Sequence, residues 1–93
     1  MTRLLILFFT AAIVLVSGCG PQKVTKAEYD AVREGMSYAE VAKIIGNPGE
    51  ETVSNSLGGI KTEMYSWVNS DGSNMNAMFQ DGELVTKAQF GLR

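Results

Sequence analysis

The sequence predicts an α+β domain in which two N-terminal helices pack on an antiparallel sheet of three or four strands. Two observations support this fold class. Two capping-box patterns open short apolar-striped segments before Pro48, and after Pro48 the apolar residues alternate with polar ones with a period of two. Turns that contain glycine separate the alternating segments, so consecutive strands are expected to pair as a meander.

Each predicted helix begins at a residue that can cap its N-terminus. Thr25 precedes Glu28 by three residues, and the segment Ser37–Glu40 repeats the same pattern. Gly35 fits the end of the first helix, because glycine tolerates the left-handed conformation that often follows a helix. The segment Gly46–Gly49 contains two glycines and a proline, so it is expected to end the second helix, with positive φ at its first glycine.

Four segments after the helices have the character of strands. The first is polar and rich in β-branched residues, which is typical of an edge strand. Asp81-Gly82 favours a type I′ turn and therefore a tight hairpin before the last strand. The expected strands are Glu50–Ser56, Lys61–Asn69, Met75–Phe79 and Leu84–Phe90.

A core of about a dozen side chains is expected between the helices and one face of the sheet. We interpret Trp67 as part of this core, because it lies in the middle of a strand whose face the helices must cover. An exposed aromatic platform formed by Tyr65 and Trp67 remains the alternative. The expected core residues are Tyr29, Val32, Met36, Val41, Ile44, Ile45, Tyr65, Trp67, Ala77, Phe79, Leu84 and Phe90.

The first 18 residues have the pattern of a signal peptide. Arg3 precedes an apolar run, Leu4–Val16, which as a helix would span roughly 20 Å and so fall short of a roughly 30 Å bilayer core. Small residues then lead to Cys19, a pattern that resembles the lipobox of bacterial lipoproteins. The resemblance implies cleavage between Gly18 and Cys19 and a diacylglyceryl group on the Cys19 sulfur. An ordinary secretory signal and an uncleaved membrane helix are the alternatives.

These boundaries divide the chain into three parts, namely a signal peptide (1–18), a lipidated cysteine with a short tether (19–25), and one domain (26–93). The lipobox resemblance implies a protein anchored in the membrane of the cell envelope through Cys19. Gly20 follows the cysteine where aspartate would favour the inner membrane, so in a Gram-negative cell we expect the periplasmic face of the outer membrane. In a Gram-positive cell the same anchor would hold the domain on the outer face of the plasma membrane.

The composition argues against several function classes. The chain contains no histidine, which removes the commonest general base and the commonest metal ligand, and its single cysteine excludes an intramolecular disulfide. The net charge is −2, so the chain lacks the excess of Lys and Arg that nucleic-acid binding requires. We therefore expect neither an enzyme nor a cofactor, and no nucleic acid partner.

Three patterns offer weak alternatives to this interpretation. Carboxylates at Glu50-Glu51 and at Asp81 with Glu83 are expected to be solvated charges rather than a catalytic pair. The segment Asp71–Asn74 resembles part of a calcium loop but lacks the spaced acids that follow, so a plain turn is expected. The thioethers of Met64, Met75 and Met78 are expected to fill space rather than bind a soft metal.

Two groups of motifs resemble known families of small bacterial proteins. The segments Glu34–Val41 and Ile44–Gly49 resemble the helix and G-x-P turn of SmpA/OmlA (BamE-like) lipoproteins. A later group resembles secreted or lipid-anchored domains of the superfamily named for the β-lactamase inhibitory protein, and the resemblance covers about residues 26–93. It implies two helices packed on an antiparallel sheet and a non-catalytic, protein-binding role in the envelope. The motifs of this later group are Tyr65–Trp67, Asp71–Asn74, Phe79–Gly82 and Ala88–Leu92.

Two functions therefore remain open. The first is an envelope protein-interaction module, either an accessory of outer-membrane assembly or an inhibitor-like binder. The second is a membrane-surface scaffold or sensor that binds a small ligand. For the first we expect the partner to contact the sheet face away from the helices, where Met64, Met78 and Val85 would provide adaptable apolar contacts.

Overall fold

The computed structural model describes residues 22–93, in which two short helices precede a four-stranded antiparallel sheet. The strands follow one another as a meander in the order β1-β2-β3-β4, which agrees with the predicted order of elements. The predicted signal peptide, Gly18 and Cys19 lie outside the described residues. None of the helices in the described range is long and apolar enough to cross a membrane. The elements are α1 Lys26–Ala31, α2 Tyr38–Ile45, β1 Glu50–Leu57, β2 Ile60–Val68, β3 Asn74–Gln80 and β4 Glu83–Phe90.

Both helices begin with the predicted capping box. The Thr25 hydroxyl accepts a hydrogen bond from the Glu28 amide, the Glu28 carboxylate accepts one from the Thr25 amide, and α2 repeats the arrangement. The second helix ends at Gly46 in the left-handed conformation, with φ of 78°, as expected. The first helix ends sooner than predicted, because Val32 already has an extended backbone and turns its side chain into the core. Gly35 instead lies in the following turn, where its amide donates to the Leu84 carbonyl.

Trp67 lies at the centre of the core, as predicted, and is completely buried. Its indole Nε1–H donates to the Asn47 carbonyl at 2.8 Å. The indole also packs directly over Gly49, where an added Cβ would lie 2.6 Å from Trp67 Cε2. The turn that ends α2 therefore provides the hydrogen-bond acceptor for the indole N–H and packs over the indole ring. The buried core residues are Val24, Val32, Val41, Ile45, Trp67, Met75, Ala77, Phe79, Leu84 and Leu92, and Tyr29, Met36, Tyr38, Ile44 and Tyr65 pack partly buried against them.

Phe90 was expected in this core, and that expectation is wrong, because its side chain is 72% exposed. A β-bulge in the pairing of β3 with β4 explains the error. Phe79 pairs with Leu84 and Met78 pairs with Thr86, so Val85 has no partner in the register. One extra residue reverses the alternation beyond it. Phe90 consequently lies on the opposite face from Leu84.

The core also includes residues that the sequence analysis did not select. Val24 was assigned to the tether, yet it is completely buried, so the packed part of the chain begins before the first helix. Met75 and Leu92 are buried as well. Met75 follows the strand alternation, whereas nothing local distinguishes Val24 or Leu92, whose burial depends on contacts with distant parts of the chain.

Candidate binding surface

The sheet has one covered face and one open face. The helices pack against the face that carries Tyr65, Trp67 and Phe79. Cross-strand partners share a face, so the register places Met64, Met78 and their neighbours on the other side. No helix or strand among residues 22–93 covers that side, which we term the open face. Its residues are Glu50, Val53, Asn55, Leu57, Ile60, Thr62, Met64, Ser66, Val68, Asn74, Asn76, Met78, Gln80, Glu83, Thr86, Ala88 and Phe90.

Met64 and Met78 form the middle of a row across the open face. They are direct partners in the β2–β3 pairing, and Val53 and Thr86 extend the row to the two edge strands. Both methionines are half-buried and line a depression of about 90 Å³, whose other lining residues come from β3 and β4. Methionine side chains adapt to irregular partner surfaces, which suits them to a binding depression.

Val85, the third residue expected to contact a partner, lies apart from this depression. It is the bulged residue of β4 and is 38% exposed. The depression is lined by its neighbour Thr86 rather than by Val85 itself. The structure therefore brings Met64 and Met78 together and leaves Val85 at the bulge.

A cluster that the sequence analysis missed surrounds Asn69 at the end of β2. The Asn69 side-chain oxygen accepts hydrogen bonds from the amides of Lys23 and Val24, at 2.7 and 3.0 Å. Its side-chain nitrogen donates to the Val24 carbonyl at 2.8 Å and to Ser73 Oγ at 2.9 Å. Asn69 is 3% exposed and uses its whole hydrogen-bonding capacity. We term this arrangement the Asn69 clamp, because it fixes the chain that leads towards Cys19.

Asp71 supports the clamp through a local turn. Its carboxylate accepts hydrogen bonds from the Ser73 amide at 2.9 Å and from Ser73 Oγ at 2.6 Å. These bonds, with a smaller contribution from nearby Arg93, hold the pKa of Asp71 below its usual range. The segment Asp71–Asn74 thus forms a turn, as expected, in which Ser73 connects the carboxylate to the buried amide. Only long-range packing reveals this role, since Asn69 and Val24 are 45 residues apart.

An open polar groove of about 320 Å³ lies beside the clamp. Lys23 and Asn47 form one side, and Glu50, Ser66 and Val68 contribute from the sheet. Lys23 therefore lies next to the end of the open face that carries Val68. The groove therefore lies between Lys23, which belongs to the predicted tether, and the sheet.

The carboxylates at Glu50-Glu51 and at Asp81 with Glu83 lie exposed at the surface. The neighbouring Glu63 carboxyl group raises the pKa of Glu51. Burial and the two nearby carboxylates raise the pKa of the Tyr65 hydroxyl. Glu51 is fully exposed to solvent, so nothing there encloses a substrate. Asp81 instead accepts a hydrogen bond from the Lys61 amide in the predicted hairpin, where Asp81 and Gly82 both have positive φ.

The methionines do not converge on a metal either. Met75 is completely buried on the covered face, whereas Met64 and Met78 lie on the open face. Within residues 22–93 there is also no group of three His, Cys, Asp or Glu residues that could hold a metal ion. The thioethers therefore fill the core on one side and line the depression on the other.

Comparison with known proteins identifies the family of the domain. No curated protein matches the chain. The sequence profile described as beta-lactamase inhibitor (BLIP) matches residues 25–93 and so includes both helices and all four strands. The chain therefore belongs to the β-lactamase inhibitor (BLIP) family.

Proposed function

We propose that the protein is a non-catalytic protein-interaction module, anchored in the cell envelope through Cys19, that binds a protein partner on the open face of its sheet. The observation that carries the proposal is the BLIP family match over residues 25–93, because the family is named for a protein that inhibits an enzyme. The role as an inhibitor-like binder or an accessory of envelope assembly, the relation to SmpA/OmlA lipoproteins and the outer-membrane location are parts of this proposal.

The depression in the middle of the open face favours a protein over a small molecule. The depression between Met64 and Met78 measures about 90 Å³, whereas pockets for small ligands usually enclose roughly 300–1,000 Å³. A depression of this size suits one apolar side chain that projects from a partner surface. Val53 and Ile60 add exposed apolar area on the same face, at 38% and 45% exposure. Polar neighbours such as Asn76 surround the depression, as in the rim of a protein interface.

Anchoring is proposed from the residues around Cys19. The apolar run, the small residues before the cysteine and the short distance to the domain all suit a lipoprotein. Attachment by two or more acyl chains holds a protein on a membrane, whereas one chain binds weakly. A substitution of Cys19 by Ala should abolish labelling by a fatty-acid probe, and normal labelling of that variant would contradict the anchor.

The binding proposal is tested by a charge placed in the depression. The full-length protein is cross-linked in its native membranes, and the cross-linked partner is identified by mass spectrometry. Met78→Glu should then lower the yield of the partner at least about tenfold, because it places a charge in a desolvated contact. Leu57→Glu is the matched control, since Leu57 is 81% exposed at the far end of β1 and does not line the depression. Equal yields from the two variants, with circular dichroism showing both folded, would contradict binding at the depression.

A further inference from the structure

The end of the sheet where the tether enters is rigidly built. Val24 is completely buried, and the Asn69 clamp holds the backbone at Lys23 and Val24 with three hydrogen bonds. The Lys26 amide also donates to the Arg93 carbonyl at 3.0 Å. We term this region the tether end, meaning Lys23–Lys26, the turn 69–73 and residues 90–93. Lys23 and Val24 are therefore held at a fixed place on the domain.

The distance between the clamp and the proposed anchor is short. Only Gly20, Pro21 and Gln22 separate Cys19 from Lys23. Four extended residue steps span at most about 14 Å. The nine residues of β2 extend over roughly 30 Å, so the far end of the sheet lies well beyond the reach of the tether. With acyl chains on Cys19, Lys23 must lie within about 14 Å of the anchored cysteine, which keeps the tether end near the membrane.

Two exposed apolar side chains lie at this end of the open face. Asn74 pairs with Val68 on one side and with Phe90 on the other, so the three residues form one cross-strand row. Val68 is 50% exposed and Phe90 is 72% exposed. An exposed phenylalanine costs free energy in water and gains it in the boundary between headgroups and acyl chains. Nothing among residues 22–93 covers this row.

The charges at the two ends of the sheet favour an orientation in which the tether end points towards the membrane. At the tether end, Lys23 and Arg93 lie near Glu50 and Asp71, so that basic and acidic side chains offset one another. At the opposite end, Lys61 lies 3.7 Å from Glu63 and its amide donates to Asp81, and Glu83 begins the strand after the same hairpin, so acidic side chains are in excess there. An anionic membrane surface would repel that end and tolerate the tether end.

We infer that Val68 and Phe90 contact the lipid bilayer when the protein is anchored, so that the sheet stands on the membrane by its tether end. This inference rests on the proposed anchoring through Cys19. The hairpin tips at Gly58-Gly59 and Asp81-Gly82 then face away from the bilayer. Met64 lies four residues from Val68 along β2, so the depression is held about 13 Å farther from the surface. A partner that binds there must itself be membrane-associated or approach the membrane closely.

Site-specific photo-cross-linking tests this orientation. A benzophenone amino acid replaces Phe90 in one sample and Leu57 in another, and both exposed positions tolerate the bulky group. The full-length proteins are purified from membranes, reconstituted into vesicles of phosphatidylethanolamine and phosphatidylglycerol, and illuminated. Intact-protein mass spectrometry then measures the fraction that carries one phospholipid. We expect at least about fivefold more lipid adduct at position 90 than at position 57.

Three results would overturn the inference. The absence of lipid adduct at position 90 would mean that this row does not touch the bilayer. Equal adduct at positions 90 and 57 would mean that the sheet lies flat on the membrane. A protein adduct at position 90 in native membranes, without lipid adduct, would make the row a protein contact instead.

The same samples separate this inference from the anchoring proposal. Mass spectrometry of the N-terminal peptide shows whether Cys19 carries acyl chains. If Cys19 is unmodified, the anchoring proposal fails. The orientation is then tested separately, because Cys19 carries the single thiol of the chain and can be coupled to a maleimide lipid before the cross-linking is repeated. At least about fivefold more lipid adduct at position 90 than at position 57 then supports the orientation, and equal adduct at the two positions contradicts it.

Discussion

The Asn69 clamp predicts a large loss of stability when its side chain is removed. Asn69→Ala leaves the buried amide and carbonyl of Val24 without their partners. Each buried backbone group that loses its hydrogen bond costs about 1–3 kcal/mol, so the expected loss is about 2–6 kcal/mol. A domain of this size is stabilised by roughly 4–11 kcal/mol in total. The substitution should therefore bring the protein close to unfolding.

Asn74→Ala provides the matched control. Asn74 is a half-buried asparagine close in sequence, but its side chain bonds only locally. Its side-chain nitrogen donates to the Gly72 carbonyl, and its side-chain oxygen accepts from the Asn76 side chain at 3.2 Å. We expect a loss below about 1 kcal/mol, because both bonds join residues only two apart and neither is fully buried. The comparison holds the type of substitution constant and varies only the long-range clamp.

Urea unfolding measures both variants, with fluorescence of Trp67, the single tryptophan of the chain, as the probe. Hydrogen exchange at the Lys23 and Val24 amides gives a second readout, since Asn69 accepts from both. Equal stability of the two variants would refute the role of the clamp. Unchanged exchange protection at Lys23 and Val24 in Asn69→Ala would refute it as well.

The remaining predictions concern the core and the turns. Trp67→Ala should cost about 3–5 kcal/mol in urea unfolding, and a stable, folded variant would contradict its central place in the core. Gly46→Ala should cost about 1–2 kcal/mol, because the residue has positive φ and open space around it. Gly49→Ala, at a similar φ, should cost more, because its Cβ would meet the Trp67 indole, and equal costs would contradict that contact. The lowered pKa of Asp71 predicts that its contribution to stability is present above a pH of about 4 and lost as the pH falls through the lowered value. The difference in urea midpoint between the native protein and Asp71→Asn should therefore shrink in acid, and a constant difference would contradict this reasoning.

The helix ends and hairpins were predictable from sequence because they depend on neighbouring residues. A capping box needs only two side chains three residues apart, and both predicted boxes are present. The left-handed Gly46 and the turn at Asp81-Gly82 likewise follow from local backbone preferences. The end of α1 at Val32 was not predictable in this way, because the core competes with the helix for that residue.

The clamp and the exposed phenylalanine were not predictable, for two different physical reasons. Asn69 bonds to a segment 45 residues away, and nothing around it in the sequence indicates that partner. Phe90 lies in a regular alternation that one bulged residue inverts, and a bulge has no clear signature in β4. Met64 and Met78 were placed correctly on the same face because the β2–β3 pairing has no bulge.

The bulge at Val85 has consequences on both faces of the sheet. Beyond it, Lys87 occupies the covered face, where it pairs with Ala77. Its ammonium group donates to the Tyr29 carbonyl at 2.6 Å and to the Val32 carbonyl at 2.8 Å, and it lies 4.1 Å from the centre of the Tyr29 ring. A cation at this place satisfies carbonyls that the end of α1 leaves free. The same inversion turns Phe90 outwards, so a single extra residue both secures the first helix to the sheet and creates the apolar end of the open face.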